Sequence, residues 1–162
     1  MFREGEAVTS DGSSKRRAAL LDRLAVMIEG VGFPRTTARV YAALTMAEGE
    51  GLSTNELVEQ LETSKASITN AMQLLVGTAL VERYRVRGSR QAHYRILKGT
   101  WEQLLGRKFK AMSVVRKTAE EALEIVESDL ARERLQEMYD IYTFFEEEFE
   151  HVMERWSERK RS

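Results

Sequence analysis

Six cationic side chains, Arg83, Arg85, Arg87, Arg90, Arg95 and Lys98, fall within sixteen residues that contain no carboxylate. Like charges held so close repel one another, and the arrangement becomes favourable only when an anion arrives. A nucleic-acid backbone is such an anion, and each phosphate neutralised adds a salt-dependence slope of about −0.9. The competing reading is a cationic edge strand guarded against aggregation. A second group lies just upstream. No acidic residue occurs between Thr63 and Val81. On a helical projection with Ile68, Met72 and Leu75 turned inward, the outward side holds Ala66, Thr69, Asn70 and Gln73, with Lys65 at its margin and Ser64 at the helix start. Asn and Gln bond adenine through two atoms, Thr and Ala methyls touch the thymine methyl, and Ser, Thr and Lys reach phosphates. The competing reading here is a polar, solvated face of a structural helix.

Other chemistries find little support. Cysteine is absent, which excludes disulfides, thiolate nucleophiles, cysteine-based zinc sites and thiol redox sensing. The two histidines, His93 and His151, sit in no metal or nucleophile motif. Glu147 and His151 stand four apart, a metal-pair spacing that is more simply an ion-paired or solvated helix position. Glu146, Glu147, Glu148 and Glu150 point in different directions on a helix, and Gly49-Glu50-Gly51 lacks the lysine and spacing of a phosphate loop. We therefore expect no enzyme, no catalytic residue, no cofactor and no metal.

The elements that must position the two polar groups follow from periodicity. Residues 1–14 are small and polar and read as a disordered tail. Residues 15–31 hold a helix carrying Leu20, Leu21, Leu24, Val26, Met27 and Ile28, stopped by Gly30 and Gly32 and assigned to a dimer interface. Pro34, the only proline, opens the next helix, with Val40, Tyr41 and Leu44 as its apolar stripe. Ser53 and Glu56 form a capping box for a short helix over 54–61, and Ser64 caps another over 65–76. Joined at Glu62-Thr63, these make a helix-turn-helix. The period then changes to two. Tyr84 and Val86 alternate with Arg83, Arg85 and Arg87; after Gly88-Ser89, Ala92, Tyr94 and Ile96 alternate with His93 and Arg95. This predicts a hairpin with one apolar and one cationic face, whose turn bears Arg90. Residues 99–162 read as two helices with a break near Ser128-Asp129. Ala131, Leu135, Met138, Tyr142, Phe145, Phe149, Val152 and Trp156 form a heptad seam on the second, while Arg116 interrupts the seam of the first. Eight seam residues need more cover than one neighbouring helix gives, which predicts a homodimer.

The fold class is therefore mainly α: a helix-turn-helix domain with a small β-hairpin wing over 32–98, followed by a long two-helix dimerisation arm. The net charge of −1 hides an uneven distribution: residues 1–32 are neutral, 33–98 carry +3 and 99–162 carry −4. The positive charge sits in the segment that would meet DNA. The absence of a long apolar run predicts no membrane span, and the absence of a signal-peptide core predicts a cytoplasmic protein.

The motifs also carry a resemblance. Gly32-Phe33-Pro34-Arg35-Thr36-Thr37-Ala38-Arg39-Val40-Tyr41-Ala42-Ala43-Leu44 resembles the opening of GbsR-like regulators, a branch of the MarR superfamily. Leu52 to Leu57 and Leu61 to Thr69 resemble that branch's helix-turn-helix, and Val81 to Arg95 its wing. The resemblance implies a sequence-specific transcriptional regulator, a repressor, that binds a palindromic double-stranded DNA operator as a homodimer and is released by a small-molecule effector. It maps Ser64, Lys65, Ser67, Thr69 and Asn70 to the recognition helix and Arg87 and Arg90 to the wing tip, beside Gln73 from the helical projection. Some relatives answer to quaternary ammonium osmolytes, for which Trp101, Tyr139, Tyr142, Phe144, Phe145 and Trp156 could supply an aromatic cage. The alternative is a protein-interaction adaptor that uses the winged fold without binding DNA.

Overall fold

The computed structural model describes residues 6–161, and side chains from residue 12 onward. The chain forms two compact units that divide after Trp101.

In the first unit, helix α1 (Glu6–Glu29) turns Leu21, Ala25 and Ile28 inward, four and three residues apart, and leaves Leu20, Val26 and Met27 exposed. The tail expected over 1–14 is helical from residue 6; residues 1–5 lie outside the described residues. Helix nucleation is the costly step, and once the packed turns supply it, Gly12 and the three serines are too weak to stop propagation. Helix α2 (Arg35–Thr45) follows Pro34, whose carbonyl accepts the Ala38 N–H at 2.9 Å. It buries seven of its eleven residues and is the centre of the core. The Tyr41 hydroxyl donates to Thr100 Oγ1 at 2.7 Å, both side chains being buried, and the Tyr41 ring meets Trp101 edge-on at 5.8 Å. Burial holds the Tyr41 hydroxyl above the ordinary tyrosine pKa.

Strand β1 (Leu52–Ser53) leads directly into α3 (Thr54–Leu61), and the capping box forms as expected. Ser53 Oγ accepts the Glu56 N–H at 3.2 Å while the Glu56 carboxylate accepts the Ser53 N–H at 2.7 Å. These bonds from Ser53 hold the Glu56 carboxyl below its usual range. Glu62, at φ +48°, turns the chain into α4 (Lys65–Gly77), which buries Ile68, Ala71, Met72 and Leu75. The Leu80 N–H bonds Leu75 O and the Ala79 N–H bonds Val76 O, a Schellman stop with Ala79 at φ +54°.

Strands β2 (Val81–Tyr84) and β3 (His93–Ile96) pair antiparallel, and β1 adds to the free side of β3 to give the order β1-β3-β2. The sequence reading missed this third strand, because two residues are too few to show a period of two. Gly51 admits it. A β-carbon there would lie 2.0 Å from the Tyr94 carbonyl oxygen, so only glycine lets the two backbones approach.

In the second unit, α5 (Thr100–Ile125), whose first two residues belong to the first unit, is followed by α6 (Asp129–Arg161). Phe109 stacks on Phe149 with 3.4 Å between ring centroids; Arg116 pairs with Glu146 at 2.7 Å and with Glu120 at 3.2 Å. Trp156 Nε1 and Lys160 Nζ both donate to Glu102, at 2.7 and 2.6 Å. Arg116 thus interrupts the apolar seam without being left unpaired, and hydrogen bonds from Ser113 and Arg116 hold the Glu146 carboxyl low. The arginine of α6 nearest the turn, Arg132, closes the end of α5 by donating to Leu123 O and Val126 O. Among the described residues no helix is long and apolar enough to cross a membrane.

Candidate nucleic-acid interface

Helix α4 starts where Ser64 accepts the Ser67 N–H at 3.2 Å, with the two hydroxyls 2.8 Å apart. The Thr69 hydroxyl donates to Lys65 O at 2.9 Å. The three hydroxyl residues assigned to base or phosphate contact are thereby oriented by the helix itself. Lys65, Asn70 and Gln73 are exposed and make no side-chain hydrogen bond among the described residues. Their donors and acceptors face water, so a DNA base edge can replace that water without breaking a bond inside the chain.

The wing departs from the expected hairpin. The ladder stops at Tyr84 and resumes at His93, leaving an eight-residue loop over 85–92. Within it the Ser89 N–H bonds Val86 O at 3.0 Å and Gly88 takes φ +86°. Register places Val81 opposite Ile96, Glu82 opposite Arg95, Arg83 opposite Tyr94 and Tyr84 opposite His93. Directly opposed residues share a face, so each face mixes rings with charges, and the expected apolar and cationic faces do not form. Alternation inside each strand says nothing about which residues oppose one another; loop length decides that.

One cation of the six is consumed. Arg95 Nε donates to Glu82 at 2.6 Å, its NH1 approaches Glu50 at 3.4 Å, and its guanidinium lies 4.9 Å from the centre of the Tyr84 ring. The hydrogen bond and charge of Glu82 raise the Arg95 pKa further above its ordinary value. Glu82 sits one residue before the acid-free stretch, so a reading confined to that stretch overlooks it. Arg83, Arg85, Arg87, Arg90 and Lys98 are exposed and have no ion pair among the described residues. Arg85, Arg87 and Arg90 belong to the loop, while Arg83 lies on the sheet beside α4. Thr69, Met72, Gln73, Val76, Arg83 and Tyr94 line a cleft of about 430 Å³ between that helix and the wing. Sequence reasoning counted Arg83 among the clustered cations and Tyr94 as an apolar strand residue, but their nearness to Gln73 is a tertiary fact it could not show.

The histidines take structural positions. His93 faces Gln91 O at 3.2 Å and the Tyr84 ring, and exposed His151 stands 3.7 Å from Glu154 rather than pairing with Glu147. No group of three or more metal-ligating side chains occurs among the described residues.

A three-stranded wing after a capped helix-turn-helix, with two long helices beyond it, is the architecture of a known fold. One solved structure, described as a transcriptional regulator, matches with 21% identity and a TM-score of 0.64, covering 88% of this chain and 99% of that chain. Apo wild-type MarR from E. coli aligns with 15% identity and a TM-score of 0.42, covering 80% of this chain and 88% of that one. The S. aureus MepR–DNA complex aligns with 14% identity and a TM-score of 0.41, covering 83% and 93%. Among curated proteins there is no match. The model of the MmpR5-like MarR family transcriptional regulators matches residues 99–159, which is almost all of α5 and α6. The fold is that of a winged helix-turn-helix protein, and its last two helices are similar to those of MmpR5-like MarR family regulators. The similarity to that family model and the motif resemblance draw on different segments, the first on the terminal helices and the second on residues 32–95.

Proposed function

We propose that the chain is a homodimeric, sequence-specific DNA-binding regulator, a repressor of transcription, whose α4 reads base edges in the major groove while the 85–92 loop meets the phosphate backbone. The observation that carries the reading is that, among the described residues, Arg85, Arg87 and Arg90 stand without an ion pair on one loop, next to a helix whose outer face is acid-free and presents Lys65, Asn70 and Gln73 without side-chain hydrogen bonds. Ser64, Lys65, Ser67, Thr69, Asn70 and Gln73 are its α4 contacts, Arg87 and Arg90 its wing contacts, and Arg83 is added from the cleft. The dimer is supported by apolar side chains left in water: Val26 and Met27 on α1, and Ile141, Phe144 and Phe145 on α6. The motif resemblance of residues 32–95 supports assignment to the GbsR-like branch, with release from DNA by a small-molecule effector as part of the reading.

Selection of bound duplexes from a random pool at physiological salt tests the proposal. Enrichment of a palindrome with half-sites about 10 base pairs apart supports a dimeric operator-binding regulator. No enrichment and no salt-sensitive binding overturn it in favour of the protein-interaction adaptor.

A further inference from the structure

Helix α6 runs for 33 residues without one buried residue. Part of its apolar surface turns toward α5, where Phe149, Tyr139 and Glu146 make their contacts. A second stripe does not. Glu137, Ile141, Phe144, Glu148, Val152, Arg155 and Arg159 follow one another at steps of three or four residues. That spacing averages close to the 3.6 of a straight helix, so the stripe keeps to one side along the whole length. Ile141, Phe144, Phe145 and Val152 are 47%, 55%, 45% and 45% exposed. Glu133, Glu137, Arg155 and Arg159 are exposed and have no ion pair among the described residues. The stripe is therefore an apolar centre with carboxylates at its N-terminal end and guanidiniums at its C-terminal end.

Such a face is complementary to a reversed copy of itself. We infer that α6 pairs with α6 of a second copy of this chain in antiparallel fashion, with the two-fold axis opposite residue 146. Because the two acids and the two bases each stand four residues apart, one axis satisfies both charge pairs. Glu137 meets Arg155 of the partner subunit and Glu133 meets Arg159 of the partner subunit, and residue 146 is the midpoint of both pairs. In this register Ile141 lies near Val152 of the partner subunit, and Phe144 and Phe145 close the centre. A parallel pairing fails on charge, because it sets acid on acid at one end and base on base at the other. Glu148 lies beside the axis, where a two-fold brings its own copy near, and is the one unfavourable charge in the arrangement. The inference rests on the homodimer reading above and deepens it by fixing orientation and register.

The test uses the full chain. Sedimentation equilibrium compares the wild type with Glu137→Arg, Arg155→Glu and the double swap. Exposed ion pairs are worth about 0.2–1 kcal/mol each, and reversal affects two per dimer, so each single variant should weaken the dimer about tenfold. The double swap should return it to within about twofold of wild type, whereas additive weakening overturns the register. Because the chain has no cysteine, single introduced thiols report distance cleanly. Glu148→Cys should cross-link to its copy through a short bismaleimide and Leu130→Cys should not. Antiparallel pairing about residue 146 sets the two copies of residue 130 about 48 Å apart at 1.5 Å per residue. Efficient Leu130→Cys cross-linking in the dimer means a parallel pair and overturns the proposal. If the wild type is a dimer that selects a palindrome while the swap fails to rescue, the register falls alone. A monomer that still selects a DNA sequence removes both dimer and register and leaves base reading standing.

Discussion

Asn70 and Arg95 show how differently two polar residues of one interface behave. The Asn70 side chain makes no hydrogen bond among the described residues, so its amide is available to a base edge. Asn70→Ala should cost about 1–3 kcal/mol at a single base position and relax preference there. Affinities across single-base operator variants check this, and an unaltered preference profile would end the base-reading role. Arg95 belongs to the same cationic stretch in sequence but is held by Glu82 at 2.6 Å. Removing that carboxylate should return one positive charge to the wing. Glu82→Gln is therefore expected to steepen the salt dependence of DNA binding by about 0.9, and Arg90→Ala to flatten it by about the same amount. Measuring log affinity against log salt for both variants decides the matter; no change in slope with Glu82→Gln would mean Arg95 already contacts phosphate. Composition revealed that the cations cluster. Which of them are free depends on Glu82 and Glu50, brought near by pairing across the sheet.

At the scale of the element, the signals that read correctly were local ones. Ser53 with Glu56, and Ser64 before Lys65, fixed two helix starts because a cap acts within three residues of itself. The wing faces misread because register is set by loop length. The α6 seam read as a single surface because Ala131 through Trp156 keep a heptad spacing. A straight helix drifts about 20° per heptad, so the seam begins half-buried at Ala131, Leu135 and Met138 and is exposed by Val152 and Trp156. The end of α4 offers a stability test. Ala79 holds a left-handed conformation at φ +54° and is exposed, a place where a β-carbon is strained and glycine is not. Ala79→Gly should stabilise the chain by about 0.5–1 kcal/mol in urea denaturation, after the added freedom of the unfolded glycine is deducted. A loss of stability would show that the Schellman stop carries no strain.

For the whole molecule, the distribution of charge and apolar surface was legible before any coordinates: a basic middle, an acidic end, and more apolar seam than one chain covers. The contacts that fill the core, such as Tyr41 with Thr100 across 59 positions of sequence, were not, since no periodicity links such distant residues. If the exposed stripes of α1 and α6 are covered by a second subunit, folding and association are one equilibrium. The melting temperature should then rise by about 2 °C for each tenfold increase in protein concentration, as mass action requires of a dimer of this size. Scanning calorimetry over two decades of concentration checks this, and a constant midpoint would separate folding from dimer formation.

Two glycines flank Glu50, and they foretell different histories. A β-carbon at Gly49 meets nothing within 4 Å, whereas one at Gly51 would overlap the carbonyl oxygen of Tyr94. Natural variants of this gene should therefore scatter freely at the first position and be purged at the second. A census of alleles would show one neighbour drifting and the other frozen, although neither carries a side chain.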